Sequence, residues 1–98
     1  MLFHVSWEFV SPSEEGQHRS LAVLSKWQPP TGADFKAFYA FAGGNGGFAV
    51  IEVDSAATLA RTTAPWTPWL RFTVNPILSN EENGAIIGEA VAWRDSVV

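Results

Sequence analysis

The sequence contains no cysteine, few charged residues and no long hydrophobic run. Without cysteine, the chain can form neither a disulfide framework nor a thiolate metal site. Charged residues make up only 16%, the six basic ones are scattered, and the net charge is −4. No cationic stripe is therefore available to displace counterions from a phosphate backbone. These absences predict a protein that does not bind nucleic acid.

The first ten residues, MLFHVSWEFV, lack the features of a secretory leader. They have no basic region, and His4, Ser6 and Glu8 interrupt the apolar residues. The chain also lacks an apolar run long enough to cross a bilayer. We therefore expect a cytoplasmic protein with no membrane partner.

Aromatic residues, in contrast, are abundant. Five tryptophans and seven phenylalanines occur in 98 residues, and 47% of the chain is hydrophobic. This length is typical of one domain, so we expect a single domain over residues 1–98. The aromatic area exceeds what a minimal core needs, and such a surplus often lies at an interface or lines a pocket. The composition predicts a surface that binds a partner.

Four segments have the period of two that is typical of strands. In Leu2 to Val10, the side chains of Phe3, Val5, Trp7 and Phe9 alternate with His4, Ser6 and Glu8. Residues 34–41, 48–54 and 70–74 alternate in the same way. We predict four strands at these positions.

Three segments between and after these strands have helical signals. Residues 11–30 begin with Ser11 or Ser13 as N-cap, have an apolar stripe, and end at two prolines; the stripe is Leu21, Leu24 and Trp27. Residues 54–65 begin with Asp54 or Ser55 and have the stripe Ala57, Leu59 and Ala60. A third helix is predicted within residues 80–97, although Gly84 and Gly88 weaken it.

The order βαββαβ plus a C-terminal helix predicts an α+β, ferredoxin-like fold. Its four-stranded antiparallel sheet has the first strand between the third and the fourth. Right-handed crossovers place both main helices on one face of the sheet. Residues 1–78 form this core, and residues 79–98 form a helical tail.

The glycine-rich stretch FAGGNGGFAVIEVD lies between two of the predicted strands. A phosphate-binding glycine loop joins a strand to a helix whose N-terminal amides meet the phosphate. Here the glycines lead into a strand, and both flanks alternate as the arms of a hairpin do. We therefore interpret the stretch as a hairpin turn.

The segments GGNGGFAVIEVD and FTVNPIL, with Trp66 and Trp69 between them, resemble a small bacterial family of uncharacterised proteins. This family belongs to the dimeric α+β barrel superfamily, and the resemblance covers Leu2 to about Leu78. It implies a ferredoxin-like protomer whose sheet pairs with that of a second copy to close a barrel. It implies no activity and no catalytic residue.

The sheet face away from the helices is mixed in character. Alternation assigns to it Leu2, His4, Ser6, Glu8, Lys36, Phe38, Phe48, Val50, Glu52, Arg71, Thr73 and Asn75. Large apolar groups beside ionisable ones suit an interface that encloses a partly wet cavity. We expect a homodimer through this mixed face, with a small molecule bound between the paired sheets.

Two functions remain open for that cavity. The first is ligand binding without catalysis, for which the candidates are His4, Phe38, Arg71 and Asn75. The second is a cofactor-independent monooxygenase or isomerase, for which the candidate catalytic residues are His4, Glu8, Glu52 and Arg71. In the structural alternative, Glu52 and Arg71 form an ion pair across strands and His4 is a satisfied interface histidine.

Metal and cofactor chemistry have no sequence signal here. His4 and His18 lack the spacing of a metal site, and no G-x-S-x-G sequence is present. We expect no metal and no cofactor, and a surface or packing role for His18. Trp66 and Trp69 are expected to pack against the sheet edge or at the dimer rim.

Overall fold

The computed structural model describes residues 1–97 as an antiparallel sheet with two helices on one face and a third helix beyond it. The elements in chain order are β1 (Leu2–Phe9), α1 (Glu14–Lys26), β2 (Ala33–Ala40), β3 (Gly46–Val53), α2 (Ala56–Thr63), a 3₁₀ turn (Ala64–Trp66), β4 (Leu70–Pro76) and α3 (Asn80–Ser96). The strand order is β2-β3-β1-β4, with antiparallel neighbours throughout. The predicted ferredoxin-like α+β fold is confirmed.

The core lies between the sheet and the helices and is small. Its nearly inaccessible members are Val5, Ala49, Ile51 and Val53. Val5 lies opposite Ala49 on β3 and opposite Val74 on β4, so the central strands supply the centre of the core. Six half-buried residues pack around it: Phe3, Trp7, Ala33, Phe35, Leu59 and Phe72. The period of two in β1 thus predicts the buried face correctly.

A serine caps each helix. Ser13 Oγ accepts a hydrogen bond from the Gly16 N–H (3.0 Å), Ser55 Oγ from the Thr58 N–H (3.2 Å), and Ser79 Oγ from the Glu82 N–H (3.0 Å). These bonds satisfy amides that have no partner within their own helix. Of the two candidates for each of the first two helices, Ser13 and Ser55 are the N-caps, and Ser11 and Asp54 are not.

The fully buried residues of the two packed helices are not those of the predicted apolar stripes, although Leu59 of the α2 stripe packs against the core. In α2 the buried residues are Thr58 and Thr62, whereas Ala57 and Ala60 are exposed. Thr62 can be buried because its hydroxyl donates to the Thr58 carbonyl (2.9 Å). In α1 the buried residues are Gly16 and Ser20. Small residues allow these helices to approach their neighbours, which a count of apolar residues does not detect.

The glycine-rich stretch forms the hairpin between β2 and β3, as predicted. The Phe41 N–H donates to the Gly46 carbonyl (2.8 Å), and the Gly44 N–H donates to the Phe41 carbonyl (2.9 Å). Gly44 has a φ of +84°, a conformation that residues with a side chain rarely adopt. The glycines therefore serve a turn between two strands.

A β-bulge in β2 reverses part of the predicted facing of that strand. Phe35 lies opposite Ile51, but the next paired residue is Ala37, opposite Val50, and Lys36 is left unpaired. Phe38 consequently lies opposite the core residue Ala49, on the helix side. The prediction that Phe38 belongs to the mixed face is wrong, because one extra residue shifts the alternation.

The bulge also reverses the facing of Ala37 and Tyr39, the two neighbours of Phe38. Alternation that puts Lys36 and Phe38 on the mixed face assigns Ala37 and Tyr39 to the helix side. Ala37 lies opposite Val50 and Tyr39 opposite Phe48, so both belong to the face away from the helices.

Helix α3 forms where the sequence predicts a helix, but it extends away from the sheet. All its residues are exposed except the half-buried Ala90. The molecule measures 61 × 29 × 20 Å, and its radius of gyration is 17.7 Å. A compact domain of about 100 residues would have a radius of gyration of about 13 Å. None of the helices within residues 1–97 is long and apolar enough to cross a membrane.

Candidate functional site

No helix of residues 1–97 packs on the second face of the sheet, which we call the open face. It is formed by alternate residues of the four strands: Leu2, His4, Ser6, Glu8, Ala37, Tyr39, Phe48, Val50, Glu52, Arg71, Thr73 and Asn75. Except for Phe38, this set contains every candidate residue of the sequence analysis. The open face is therefore the candidate site.

An aromatic cluster occupies one half of the open face. The Phe48 ring is at its centre, with ring centroids 5.5 Å from His4, 5.8 Å from Tyr39 and 6.1 Å from Phe41. Tyr39 is 63% exposed and Phe41 is 50% exposed. We call His4, Tyr39, Phe41 and Phe48 the outer aromatic cluster. Sequence analysis missed Tyr39 and Phe41 because the bulge was not visible in the pattern.

The other half of the open face is polar. Along β1 and β4, His4 lies opposite Asn75, Ser6 opposite Thr73, and Glu8 opposite Arg71. The first pair includes His4 of the outer aromatic cluster, and Ser6 of the second pair lies opposite Phe48 of that cluster. Hydroxyl, amide and imidazole groups can both donate and accept hydrogen bonds there.

The candidate residues do not converge on one point. His4 and Glu8 are four residues apart on β1, which corresponds to about 13 Å along a strand. Arg71 Nη1 lies 3.9 Å from Glu8 Oε1, and both side chains are largely exposed. An exposed pair of this kind contributes little to stability. His4 with Asn75 and Glu8 with Arg71 therefore form two separate groups.

Glu52 lies at the far end of β3 and does not approach Arg71. Its carboxylate contacts the N-terminal ammonium of Met1, and it lies opposite Leu2. Since β1 separates β3 from β4, the alternative of a Glu52–Arg71 ion pair is wrong.

Two further pairs of titratable groups are local in sequence. Lys36 Nζ donates to Asp34 Oδ2 at 2.7 Å, and this hydrogen bond raises the pKa of Lys36 above its usual value. His18 is exposed on α1, with Nε2 4.0 Å from Glu14 Oε1. Within residues 1–97, no three histidine, aspartate or glutamate side chains are grouped as a metal site would require.

A second feature lies on the helix side of the sheet, where a cavity of about 220 Å³ separates α1 from the strands. We call it the inner cleft. Its floor includes Trp7, Phe38 and Phe72, and its roof includes Leu21, Leu24 and Trp66. The surplus of aromatic residues predicts a pocket or an interface, but their sequence positions do not reveal this cavity. Phe38, a predicted ligand-binding residue, belongs to the inner cleft and not to the open face.

A ferredoxin-like α+β domain with one sheet face uncovered is the class of protein that these observations define. Over residues 1–91 the chain matches the family described as a domain of unknown function, DUF3303, and it belongs to that family. No curated protein matches the chain.

Proposed function

We propose that this protein is a homodimeric binding protein in which two copies pack their open faces together and hold a small molecule between the sheets. The observation that carries this proposal is the exposure of the outer aromatic cluster on a sheet face that no helix of residues 1–97 covers. Contiguous apolar patches on a soluble protein are typical of interaction sites. Two sheets that pack face to face lie about 10 Å apart, with interdigitating side chains.

The charge distribution supports a second copy of this chain as the partner. The outer aromatic cluster has no acidic member, and the polar half has both signs in Glu8 and Arg71. In a symmetric dimer, each patch meets the same patch of the other copy. Most of the net charge of −4 comes from α3, which has Glu81, Glu82, Glu89 and Asp95 against Arg94. Like-charge repulsion between two open faces is therefore weaker than repulsion between two copies of α3.

The polar half of the open face supports a ligand that combines an apolar ring with a hydrogen-bonding group. Phe48 and Tyr39 offer ring faces, while Ser6, Thr73 and Asn75 offer donors and acceptors beside them. Ligand sites are usually apolar with a few placed polar groups. Arg71, at the end of this row, is suited to an anionic substituent.

The alternative function, a cofactor-independent monooxygenase or isomerase, is favoured by one local arrangement. His4 stacks on Phe48 and lies opposite Asn75, so a proton acceptor and a hydrogen-bond donor lie beside an apolar wall. The test is oxygen uptake by the wild type and by His4→Ala on a panel of quinols. An oxygen uptake that His4→Ala abolishes supports the monooxygenase, and equal rates contradict a role of His4 in it. An isomerase consumes no oxygen and is tested by the conversion of substrate in the same two proteins.

The dimer is tested by measuring mass in solution with multi-angle light scattering and native mass spectrometry. We expect twice the chain mass of 10.7 kDa for the wild type. Tyr39→Arg places a charge in the outer aromatic cluster, so we expect it to weaken dimerisation at least tenfold, which corresponds to about 1.4 kcal/mol. Leu21→Arg is the matched control, since Leu21 on α1 is also 63% exposed but lies on the other side of the sheet.

The proposal requires that Leu21→Arg remains dimeric. A wild type that stays monomeric at high concentration would contradict it. Equal weakening of dimerisation by Tyr39→Arg and Leu21→Arg would also contradict the proposal. The native mass spectrum also reports any small molecule that remains bound to the freshly purified dimer.

A further inference from the structure

We propose that the inner cleft is a second binding site, on the other side of the sheet from the open face, and that it takes a neutral one- or two-ring aromatic or alicyclic molecule. This site is independent of dimerisation, because side chains at alternate positions of β1 point to opposite faces. Trp7 lines the inner cleft, whereas Ser6 and Glu8 belong to the open face.

The volume of the cleft sets the size of the ligand. The inner cleft has a volume of about 220 Å³ and is open to solvent on one side. An apolar cavity of about 150 Å³ stays dry and binds benzene. The inner cleft is larger than this and can hold a molecule of one or two fused rings. A helix is about 10–12 Å across, so a docked helix would not fit the available space.

The lining sets the charge of the ligand. None of the residues that line the cleft in the described structure is charged. Its three hydroxyl groups already donate to carbonyls of their own helices: Ser20 to Gln17 (3.1 Å), Thr62 to Thr58 (2.9 Å) and Thr63 to Ala60 (3.3 Å). A charged ligand would lose its hydration without gaining a partner. A neutral, apolar ligand gains from leaving water.

The aromatic walls favour a ring over a flexible chain. Trp7 meets Phe38 edge to face, with centroids 5.6 Å apart and planes at 89°, and Trp27 meets Trp66 at 5.1 Å and 71°. These contacts hold the rings at defined angles, so both ring faces and ring edges are available around the cavity. A bound ring can therefore make the offset or edge-to-face contacts that aromatic groups prefer.

The rim of the cleft provides access from solvent. Leu21 and Leu24 on α1 are exposed, and so are Phe38 and Ala40 on the edge strand β2. The other side of α1 is held in place, because Trp66 Nε1 donates to the Ser20 carbonyl (3.3 Å) and Arg19 lies over the Trp69 ring at 5.9 Å. The gap between α1 and β2 is thus the mouth of the cleft.

The test uses naphthalene as the probe and the full-length protein labelled with ¹⁵N and ¹³C. We expect saturable shifts of amide signals and intermolecular NOEs from naphthalene protons to Phe38, Phe72 and Trp66. Ala49→Ile fills the floor of the cleft and is expected to weaken binding at least tenfold. Ala22→Ile, on the exposed side of α1, is the matched control and is expected to leave affinity within twofold.

The NOEs are measured on the wild type, so they test the site even if Ala49→Ile fails to fold. Ala40→Phe provides a second block, at the exposed mouth, and should also weaken binding. Absence of naphthalene binding would overturn the proposal, and so would NOEs to Tyr39 or Phe48. Trp93 on α3 is 67% exposed and is a large apolar side chain that a second copy could insert into the cleft. Naphthalene binding that appears only after Trp93→Ala would show such an insertion and would also overturn the proposal.

Discussion

Asp54 connects β3 to α2 through side-chain contacts at the start of the helix. Its Oδ1 accepts a hydrogen bond from Thr58 Oγ1 at 2.5 Å. This bond, together with a weaker one from Ser55, lowers the pKa of Asp54 below its usual value. Ionisation of Asp54 is therefore more favourable in the folded state than in the unfolded state, and the charge increases the free energy of unfolding.

Asp54→Asn should remove this pH-dependent stabilisation. Because the folded-state pKa is depressed, the contribution is fully present above the unfolded pKa of about 3.9 and is lost as pH falls through the folded pKa. We expect the urea midpoint of the variant to lie below that of the wild type at neutral pH. The difference should shrink as the pH falls from neutral to acidic values.

Glu89→Gln, a carboxylate-to-amide change on the exposed surface of α3, is the control for this measurement. It should change the midpoint little at either pH. A difference between Asp54→Asn and the wild type that stays constant with pH would contradict the role of the Asp54 charge.

Gly47 and Gly43 are close in sequence but differ in their surroundings. A Cβ added to Gly47 would lie 2.8 Å from Trp7 Cζ2 and would overlap the Tyr39 carbonyl oxygen, whereas a Cβ on Gly43 has nothing within 4 Å. We predict that Gly47→Ala lowers the free energy of unfolding by roughly 1–3 kcal/mol. Gly43→Ala should stay within about 0.5 kcal/mol of the wild type. Urea denaturation measures both, and equal effects would refute the prediction.

At the scale of elements, the strands and helices differ in how far the sequence predicts them. The hairpin after Phe41 follows from local rules and was predicted. The first two N-caps were each narrowed to two residues, and the structure selects Ser13 and Ser55. The bulge at Lys36 was not predicted, because it depends on how β2 pairs with β3. This single residue determines whether Phe38 or Tyr39 belongs to the open face, and hence which ring is a candidate for dimer contact.

Helix α3 contains two glycines, and at neither of them does another part of the chain come close to the helix. A Cβ at Gly84 or Gly88 meets no atom within 4 Å. We predict that Gly84→Ala and Gly88→Ala each stabilise the helix by about 0.5–1 kcal/mol. Amide hydrogen exchange of residues 85–96 should slow. The global unfolding midpoint should not change, since α3 extends away from the sheet.

Ala85→Gly is the opposite change at a neighbouring exposed position, and it should speed exchange in the same residues. If Gly84→Ala stabilised the whole protein against unfolding by as much as it stabilised α3 against hydrogen exchange, α3 would unfold together with the sheet as one cooperative unit. That result would contradict a helix that folds independently of the sheet.

At the scale of the whole molecule, exposed apolar surface is combined with a modest net charge. The charge is −4 and the isoelectric point is about 4.9, while Tyr39, Phe41, Ile86, Ile87 and Trp93 are all exposed. Near the isoelectric point, the long-range repulsion that keeps such surfaces apart disappears. We predict a maximum of light scattering near pH 4.9.

Glu81→Lys tests the electrostatic cause, since Glu81 is exposed in the first turn of α3. It raises the isoelectric point, so the scattering maximum should move to higher pH. Scattering that is independent of pH, or a maximum that does not move in this variant, would show that apolar contact alone drives association.

The sequence by itself determined the order of elements, the turn, most of the two sheet faces, and a choice of two residues for each of the first two N-caps. These features depend on period, side-chain hydrogen bonding and backbone freedom within a few residues of each other. Only the tertiary structure decided the shift at Lys36, the pairing of Arg71 with Glu8 in place of Glu52, the inner cleft and the direction of α3. Each of these depends on which distant segments meet, and that is set by the packing of the whole chain.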